Sequence, residues 1–511
     1  MRFLFITALI LGLSININSA TINIQGQEEF SALPEFLKQI VERGEKHIVI
    51  KIAPGQYCYS QSMISLSAQD DDLSLSIVGN GVTLLPLFSE KRNNLAPSFA
   101  QFRGKDAVNL WSEVVQSPEL ISVVDQTKKL CRIRISRGIT AQIGDYIQVS
   151  QWYRTQRYNV VSSDKEYIYF IADDLSYICN KKEWNINYDY IYAKKNPRYR
   201  VFRVKSDDEI LQSSVTTFME LSQAKLKCIT IKGISFIGSA GSRYSKGVIN
   251  FSNASAKEIN IENCRFSSCR SSCIKLENTS NLKVDDCEFY DNYTTCVSIG
   301  TNCDNASITN NLFENNGKEW NNTHVVLAKG ANFLISDNVF RNFCYGAIGA
   351  GIWYKHNKTT YVSGVISGNE IYYTEDYYKD YPKYTLMDSG AIYLWTQMDD
   401  VTIQGNYIHD IYGMEDNRGI FCDDGAKNVK IVNNLILRIN NSYCIDLRDV
   451  PNVVEFVPDC NTGNHCFNNL LDGTMRFYIK DKSCKEKFNL KFGKDNYKKM
   501  PAFKQWRHKL I

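Results

Sequence analysis

An acid-rich stretch from Asp388 to Asn434 holds the side chains best suited to chemistry. Its eight carboxylic acids are Asp388, Asp399, Asp400, Asp410, Glu415, Asp416, Asp423 and Asp424. Hydrolysis of a glycosidic bond requires one carboxyl group that protonates the leaving oxygen and a second that attacks the sugar or activates water. Since a purely structural segment needs far fewer acids, the stretch predicts a pair of catalytic carboxylates.

The alignment of two successive strands indicates which of these acids can meet. Aligning the strand AIYL with the strand GIFC places Asp388 beside Asp416 on adjacent coils, and Trp395 beside Asp423. A separation of one coil suits the roughly 5 to 5.5 Å of a retaining glycosidase, and a wider one the roughly 6.5 to 9.5 Å of an inverting enzyme. By register alone Asp416 is the nearer partner of Asp388, and the loops decide which acid reaches it.

Seven further side chains near these acids are candidates for binding a substrate. They are Tyr393, Trp395, His409, Asp410, Arg418, Asp424 and Arg448. Aromatic rings can stack on the apolar face of a sugar, and an Arg can donate hydrogen bonds to its hydroxyls. Other roles fit the same residues, because His409 and Asp410 follow a strand and suit a turn, and an exposed Arg is often solvated or ion-paired.

A repeated strand pattern would position these side chains. Eight segments share it: CITIKGISF, EINIENCRF, NLKVDDCEF, NASITNNLF, NFLISDNVF, GVISGNEI, DVTIQGNYI and NVKIVNNLI. Their last residues recur every 23 to 37 positions without helices between them. Such a repeat predicts a β-solenoid.

Two features of the repeat predict how its coils stack. In the seven segments after the first, the position two residues before the end is Cys264, Cys287, Asn311, Asn338, Asn369, Asn406 or Asn434. Equivalent positions in a solenoid of parallel strands lie about 4.8 Å apart, so Asn amides can form a ladder of hydrogen bonds. A second strand follows in each coil, and the cysteines of both strands are expected to be mainly buried thiols, although stacked pairs are close enough for an occasional disulfide.

These segments resemble the right-handed parallel β-helix of the pectate-lyase-like superfamily, which implies an all-β fold. The series DSGAIY, IHD and GIFCDDG more specifically resembles β-helix glycoside hydrolases of the fucosidase and xylosidase types. In those enzymes an Asp before the GAIY-like strand and acids on the following coils carry out the reaction. The resemblance therefore implies Asp388 and Asp423 as the pair, whereas register favours Asp416. The polygalacturonase series NTD, DD, GHG and RIK is absent.

The chain divides into five predicted segments. Residues 1–20 form a signal peptide, because one early Arg precedes a short apolar run and small residues follow it. Residues 21–88 form an N-terminal cap helix and the first coils, and 89–222 an inserted β-rich subdomain. Residues 223–451 are the coils with the proposed site, and 452–511 a C-terminal coil and cap. The signal peptide predicts a secreted or periplasmic protein without a membrane anchor.

Charge and composition narrow the possible partners. The formal net charge is +4, and Lys and Arg are spread among the acids, which disfavours nucleic acid as a partner. We expect a monomer that acts on a polysaccharide or oligosaccharide and needs no cofactor or metal. A polysaccharide lyase is the alternative, with calcium bound by Asp423, Asp424 and Asp446 near Arg448. A third reading is a non-catalytic glycan-binding surface protein.

Overall fold

The structure is a computed structural model that describes residues 19–491 apart from several segments. Those segments are 68–71, 88–99, 103–107, 115–120, 126, 135–140, 143–144, 152–153, 172–197, 204–209, 213–214, 242–244, 319–323, 353–361, 381–387, 396–397, 413–416, 424–425, 441–442, 449–461, 478–484 and 488. The predicted signal peptide lies outside the described residues except for its last two, and the first strand begins at Ser19.

Successive coils stack three parallel sheets, so the chain forms a parallel β-helix. Sheet 1 contains Ser19–Ile24, His47–Ile52, Ser255–Glu262, Leu282–Asp285, Ser307–Thr309, Phe333–Ser336, Val362–Ser367, Met398–Gln404, Val429–Val432, His465–Phe467 and Lys485–Lys487. Sheet 2 contains Gly55–Tyr59, Arg265–Cys269, Glu288–Tyr290, Leu312–Asn316, Val339–Phe343, Glu370–Tyr372, Tyr407–Ile411, Leu435–Ile439, Leu470–Leu471 and Leu490–Lys491. Two bent strands, Leu73–Pro86 and Lys225–Ser239, belong to both sheets.

Sheet 3 closes each coil and carries the candidate site. Its strands are Ile64–Leu66, Met219–Ser222, Ile249–Ser252, Ile274–Glu277, Val297–Ile299, His324–Ala328, Gly346–Ala350, Ser389–Leu394, Asn417–Cys422, Tyr443–Leu447 and Thr474–Phe477. The predicted alignment of the second strands is confirmed, because Ile348 pairs with Ile392, Ile392 with Ile420 and Ile420 with Ile445.

Each segment that the sequence analysis treated as one strand is mostly two strands separated by a sharp bend. The residue before the ladder position has a positive φ, for example 57° at Asp337 and 56° at Asn433. This left-handed conformation, which Asn and Asp tolerate better than most residues, turns the chain from sheet 1 into sheet 2. A coil therefore has three strands rather than two.

The predicted Asn ladder is confirmed and extends further than expected. The Nδ2 group of Asn369 donates to Oδ1 of Asn406 at 3.0 Å, and Asn406 donates to Asn434 at the same distance. The ladder then continues to Asn469 and Asn489 at 2.9 Å per step. Since each amide also accepts a backbone N–H, the ladder satisfies buried polar groups at every bend.

The two ends of the chain agree partly with the predicted segments. Helices Gln27–Ser31 and Leu33–Glu42 precede the second strand and bury Phe30, Leu33 and Leu37. At the other end, His465–Phe467 and Thr474–Phe477, within the segment predicted as a C-terminal coil and cap, pair in parallel with preceding coils and continue the repeat.

The insertion contains a seven-stranded antiparallel sheet. Its strands, in spatial order, are Val108–Val114, Arg198–Arg203, Tyr146–Gln151, Arg154–Ser163, Tyr167–Ile171, Leu130–Arg134 and Ile121–Asp125, with a separate pair Ala100–Phe102 and Ile210–Gln212. The predicted boundary at residue 222 is too late. Strand Met219–Ser222 pairs in parallel with Ile64–Leu66 and Ile249–Ser252 and therefore belongs to sheet 3.

The interior of the β-helix is apolar and stacked in register. Phe266, Phe289, Phe313 and Phe340 form a column with ring centroids 4.6 to 5.1 Å apart. The cysteines Cys264, Cys273, Cys287 and Cys296 are buried free thiols, as expected for small apolar core residues. A further short helix, Glu375–Asp380, lies in the long connection that precedes Asp388.

Candidate active site

Outward-facing side chains of sheet 3 form a cluster separate from the interior of the β-helix. Because side chains alternate along a strand, Ile392 and Ile420 point inward and their neighbours Tyr393 and Phe421 point outward. The same outward row continues in register to Asp446 and Arg476 on the next two coils. Aromatic and charged residues thus replace the polar, solvated face expected of an exposed sheet.

Asp388 lies immediately before the strand Ser389–Leu394, in a left-handed backbone conformation with φ 55°. The phenol of Tyr345, on the preceding coil, donates a hydrogen bond of 2.7 Å to its carbonyl oxygen. That bond holds the backbone at the residue whose side chain was predicted to be catalytic. The carboxylate itself remains about one-fifth exposed.

Asp423 stands on the next coil, directly after the strand Asn417–Cys422. Its backbone N–H donates to the carbonyl of Leu394, which places it beside Trp395 as the sequence alignment predicted. Its Oδ2 accepts a hydrogen bond of 2.9 Å from the phenol of Tyr393. Its Oδ1 is buried and accepts no hydrogen bond from the described residues. That oxygen instead faces the guanidinium of Arg448 at 3.4 Å.

Arg448 joins the two acids. Its guanidinium lies 3.6 Å from Oδ1 of Asp388 and 3.4 Å from Oδ1 of Asp423. Since one guanidinium bridges both, the two carboxylate oxygens are at most about 9 Å apart, within the range of glycosidase carboxyl pairs. The structure therefore brings together Asp388 and Asp423, the pair that the resemblance implied. Asp416, the partner favoured by register, lies outside the described residues, as do Asp424 and Glu415.

A second guanidinium, that of Arg418, approaches Asp388 from the next coil, between the coils of Asp388 and Arg448. Its Nη1 lies 3.6 Å from the carboxylate of Asp388, and its Nε donates 2.7 Å to Asp446. Arg418 and Asp446 are each at most 1% exposed. Arg476 adds a bidentate pair to Asp446 with two distances of 2.6 Å. Burial of these charges is tolerable because each is paired.

Aromatic rings form the floor under these charges. The rings of Tyr393 and Phe421 stack with centroids 4.8 Å apart. The guanidinium of Arg418 lies 3.9 Å from the centroid of Phe421, and that of Arg448 lies 4.8 Å from it. Cation–π attraction of this kind strengthens when water is excluded. The floor therefore fixes the direction of both guanidiniums.

His324 is a residue that the sequence analysis missed. Its ring is 1% exposed and lies beside Tyr345, Tyr393 and Trp395, at centroid distances of 5.1, 5.4 and 5.3 Å. Gly349 makes the space, since a Cβ there would lie 2.4 Å from the imidazole. The signal was present in the register, because His324 pairs with Gly346 in the same sheet.

Tyr345, Phe421, Asp446 and Arg476 were likewise absent from the predicted site residues. Each occupies an outward position in register with a predicted residue, or lies one coil away from one. Asp446 had been considered as a calcium ligand of the lyase alternative. Arg476 lies in the segment predicted as a C-terminal coil and cap, in which no site residue was predicted. A periodicity carried through to Phe477 would have found it.

Electrostatics keep the tyrosines neutral and the bridging arginine charged. Burial, followed by the charges of Asp388 and Asp423, raises the pKa of Tyr345 well above its ordinary value. Burial and neighbouring ionisable groups do the same to the pKa of Tyr393. Burial alone would lower the pKa of Arg448. The nearby carboxylates, Asp423 foremost, outweigh the effect of burial, so the pKa of Arg448 is raised. Both phenols can thus donate hydrogen bonds, and Arg448 is a poor proton acceptor.

His409 and Asp410 form a different cluster on sheet 2. The imidazole of His409 stacks between Tyr372 and Tyr407, with centroid distances of 4.8 and 4.0 Å. Its Nδ1 lies 2.6 Å from Asp410, and Arg438 donates two hydrogen bonds to the same carboxylate. These contacts describe an ion-paired surface network. A substrate-binding role for the two residues stays a prediction.

One of the three acids predicted as calcium ligands of a lyase, Asp446, is engaged by two arginines. Both oxygens of Asp446 already accept hydrogen bonds from Arg418 or Arg476. Asp424 lies outside the described residues. Within the described part of the chain, no group of three or more His, Cys, Asp or Glu side chains could hold a metal ion. Calcium dependence itself stays a prediction.

No helix in the described ranges is both long enough and apolar enough to cross a membrane. Comparison with known proteins matches residues 229–365 to the family model of a right handed beta helix region, a segment that ends before Asp388. No curated protein sequence matches the chain.

Solved structures of low sequence identity resemble the chain over most of its length. A structure described as a glycoside hydrolase is 12% identical with a TM-score of 0.47, covering 83% of this chain and 95% of that chain. XylC, solved in complex with xylose, is 9% identical with a TM-score of 0.39, covering 87% and 80%. PfbA, a surface adhesin of Streptococcus pneumoniae, is 10% identical with a TM-score of 0.36, covering 91% and 86%. The strand pairing and the family model together make the chain a right-handed parallel β-helix protein.

Proposed function

We propose that the protein is a glycoside hydrolase in which Asp388 and Asp423 are the catalytic carboxylates. The observation that carries the proposal is the bridge of Arg448 between the two acids on adjacent coils. Two carboxyl groups within this distance are the requirement of both retaining and inverting glycosidases. The resemblance of the DSGAIY and GIFCDDG segments to β-helix glycosidases supports the same pair.

The surroundings suggest a role for each acid. Asp388 faces the guanidiniums of Arg418 and Arg448, each at 3.6 Å, and opposite charges favour a carboxylate. We assign it the attack on the anomeric carbon or the activation of water. Asp423 is more enclosed and faces one guanidinium, that of Arg448, rather than two, and the phenol of Tyr393 donates to its Oδ2. We assign it the proton that passes to the leaving oxygen as the glycosidic bond breaks.

Water is the second reactant in both the retaining and the inverting mechanism. In a retaining enzyme the carboxylate of Asp388 forms a bond to the sugar, and Asp423 then takes a proton from the water that breaks that bond. In an inverting enzyme Asp388 takes the proton of a water that attacks the sugar directly. Trp395, partly exposed beside Asp423, offers a ring face for the sugar.

Two observations favour hydrolysis over β-elimination. An elimination needs a base that removes a proton next to the sugar carboxylate, and the raised pKa of Arg448 makes it unsuited to that role. The acid Asp446, counted among the calcium ligands of a lyase, is already held by two guanidiniums. We further propose that the chain is exported through residues 1–20 and acts as a monomer. N-terminal sequencing of the mature protein and its mass in solution test these two points.

A panel of aryl glycosides and polysaccharides tests the proposed activity. The wild type should release reducing sugar in the presence of a chelator, and Asp388→Asn should not. Asp400→Asn is the matched control, since Asp400 is exposed on the same coil, pairs only with Lys430 in the described structure and has the positive φ that Asn also accepts. An unsaturated product that absorbs in the ultraviolet would establish the lyase instead. Glycan binding without turnover would establish the non-catalytic protein.

A further inference from the structure

Six charged side chains from four coils alternate in sign across the candidate site. In order they are Arg476, Asp446, Arg418, Asp388, Arg448 and Asp423. The separations between successive charged groups are 2.6, 2.7, 3.6, 3.6 and 3.4 Å. The outer end, Arg476, is about two-fifths exposed, whereas Asp446 and Arg418 are buried. This row of alternating charges thus runs from the protein surface, through the buried pair of Asp446 and Arg418, to the proposed catalytic pair.

We propose that Asp446 and Arg476 are positioning residues that set the charge state of Asp388 through Arg418. The inference rests on the proposed function of Asp388 and extends it to two residues that do not touch the reacting atoms. In a medium of low dielectric constant the Coulomb interaction at a given distance is stronger than in water. A charge that is separated from Asp388 by one or two paired groups can therefore still act on it. Arg418 provides the link, since its guanidinium contacts both Asp446 at 2.7 Å and Asp388 at 3.6 Å.

The geometry of Arg418 gives the first half of the mechanism. Its Nε donates to Asp446, and its guanidinium lies over the ring of Phe421. Its Nη1 lies 3.6 Å from Oδ1 of Asp388. Asp446 therefore fixes where the positive charge of Arg418 stands and also offsets part of that charge. Arg476 in turn offsets Asp446 through its two-point contact.

The other charged or titratable neighbours of Asp388 belong to different elements. Arg448 and Asp423 face it from the two following coils, and Tyr345 and Tyr393 lie beside it from the preceding coil and its own strand. None of these four side chains is itself changed when Asp446 or Arg476 is substituted. A change in the pH dependence of Asp388 would therefore originate in the outer pair.

Substitution of the two positioning residues should move the acidic limb of the pH–activity profile in opposite directions. In Asp446→Asn, Arg418 and Arg476 lose their shared counter-charge. Their positive charge then stabilises the carboxylate form of Asp388 more strongly, and the acidic limb moves to lower pH. In Arg476→Gln, Asp446 offsets Arg418 more fully, so the limb moves to higher pH. We expect about half a pH unit in each case. Arg476→Lys keeps the charge and should restore the wild-type position.

The test measures this limb on any substrate that the panel identifies, and in parallel the pH dependence of thermal unfolding. For each background, the difference between the protein and its Asp388→Asn counterpart reports the titration of Asp388 without any activity. Opposite displacements, with rescue by Arg476→Lys, support the inference. Equal loss of turnover at every pH, or displacement in the same direction, would overturn it and leave a structural role only.

Two outcomes separate this inference from the proposed function. If no glycan is hydrolysed, the proposed function fails, but the unfolding series still shows whether the titration of Asp388 moves. If Asp446→Asn does not fold, Arg476→Gln decides the question, because Arg476 is partly exposed and its replacement leaves the buried pair of Arg418 and Asp446 intact. An unmoved titration in Arg476→Gln would then end the proposal.

Discussion

Two clusters of acids lie on neighbouring sheets of the same coils, and they differ in how their carboxylates are satisfied. On sheet 2, Asp410 accepts hydrogen bonds from Arg438, His409 and Tyr412 on both of its oxygens. On sheet 3, Asp423 accepts one from Tyr393 and leaves Oδ1 without a hydrogen bond from the described residues. A saturated carboxylate is a structural element, whereas a buried and incompletely bonded one is costly and points to a function.

The largest expected difference between the clusters is in catalysis. Asp423→Asn should reduce kcat by about 10²- to 10⁴-fold, because Asn keeps the shape of Asp but cannot supply the proton. Asp410→Asn should leave kcat within a few-fold of the wild type and lower only the stability. Steady-state kinetics on one substrate, with circular dichroism to verify the fold, measures both. A greater loss in Asp410→Asn would move the site to sheet 2.

Packing around His324 should show the next largest effect. In Gly349→Ala the new methyl group would lie 2.4 Å from the imidazole, so the ring and its aromatic neighbours must move. Overpacking of this kind costs about 1 to 3 kcal/mol in the free energy of unfolding. Chemical denaturation measures the cost.

A double-mutant cycle provides the control for that prediction. If the clash with the imidazole is the cause, then His324→Ala should absorb much of the penalty of Gly349→Ala, since the cavity accommodates the methyl group. Independent, additive effects of the two substitutions would contradict the proposed packing. Sheet 2 has no comparable glycine in the described contacts of His409, so no such coupling is expected there.

Removal of a phenol tests the hydrogen bond that holds Asp423. Tyr393→Phe deletes one donor to that carboxylate, and we expect a loss of about 10-fold in kcat/KM, since a hydrogen bond to a charged group is worth about 1.5 kcal/mol or more. Tyr412→Phe is the matched control, because its phenol donates to Asp410 in the other cluster. That control should leave kcat/KM unchanged. Equal effects of both variants would mean that the phenols serve folding alone.

The smallest expected effect is the pH dependence of stability at Asp410. Burial raises the pKa of this group, but the hydrogen bonds from Arg438, His409 and Tyr412 outweigh it, so the folded-state pKa lies well below the ordinary value. A depressed pKa stabilises the fold above the unfolded-state value, about pH 4, and this stabilisation is lost as the pH falls further. The unfolding free energies of the wild type and Asp410→Asn should differ by about 1 kcal/mol at pH 7. Below about pH 4 the difference should shrink. A constant difference down to pH 2 would contradict the assigned pairing.

Periodicity predicted much of the fold. Inward aliphatic residues recur at fixed positions of successive coils, so the pairing of Ile392 with Ile420 and of Ile420 with Ile445 followed from the sequence. The ladder from Asn311 to Asn434 followed for the same reason, since a buried amide must repeat at each coil to be satisfied. The division of each repeat into two strands did not follow from the sequence, because a single left-handed residue makes the bend without interrupting the apolar pattern.

Local spacing determined that Asp388 starts a strand of one coil and that Trp395 stands beside Asp423, because neighbouring parallel strands in register carry equivalent residues side by side. Only the tertiary structure decided that Arg448 lies between the two acids and that Arg476 closes a chain of charges three coils from Asp388. The reason is physical. The repeat specifies the backbone position of each outward residue, but the direction of a long charged side chain depends on which opposite charges and ring faces the other coils present to it.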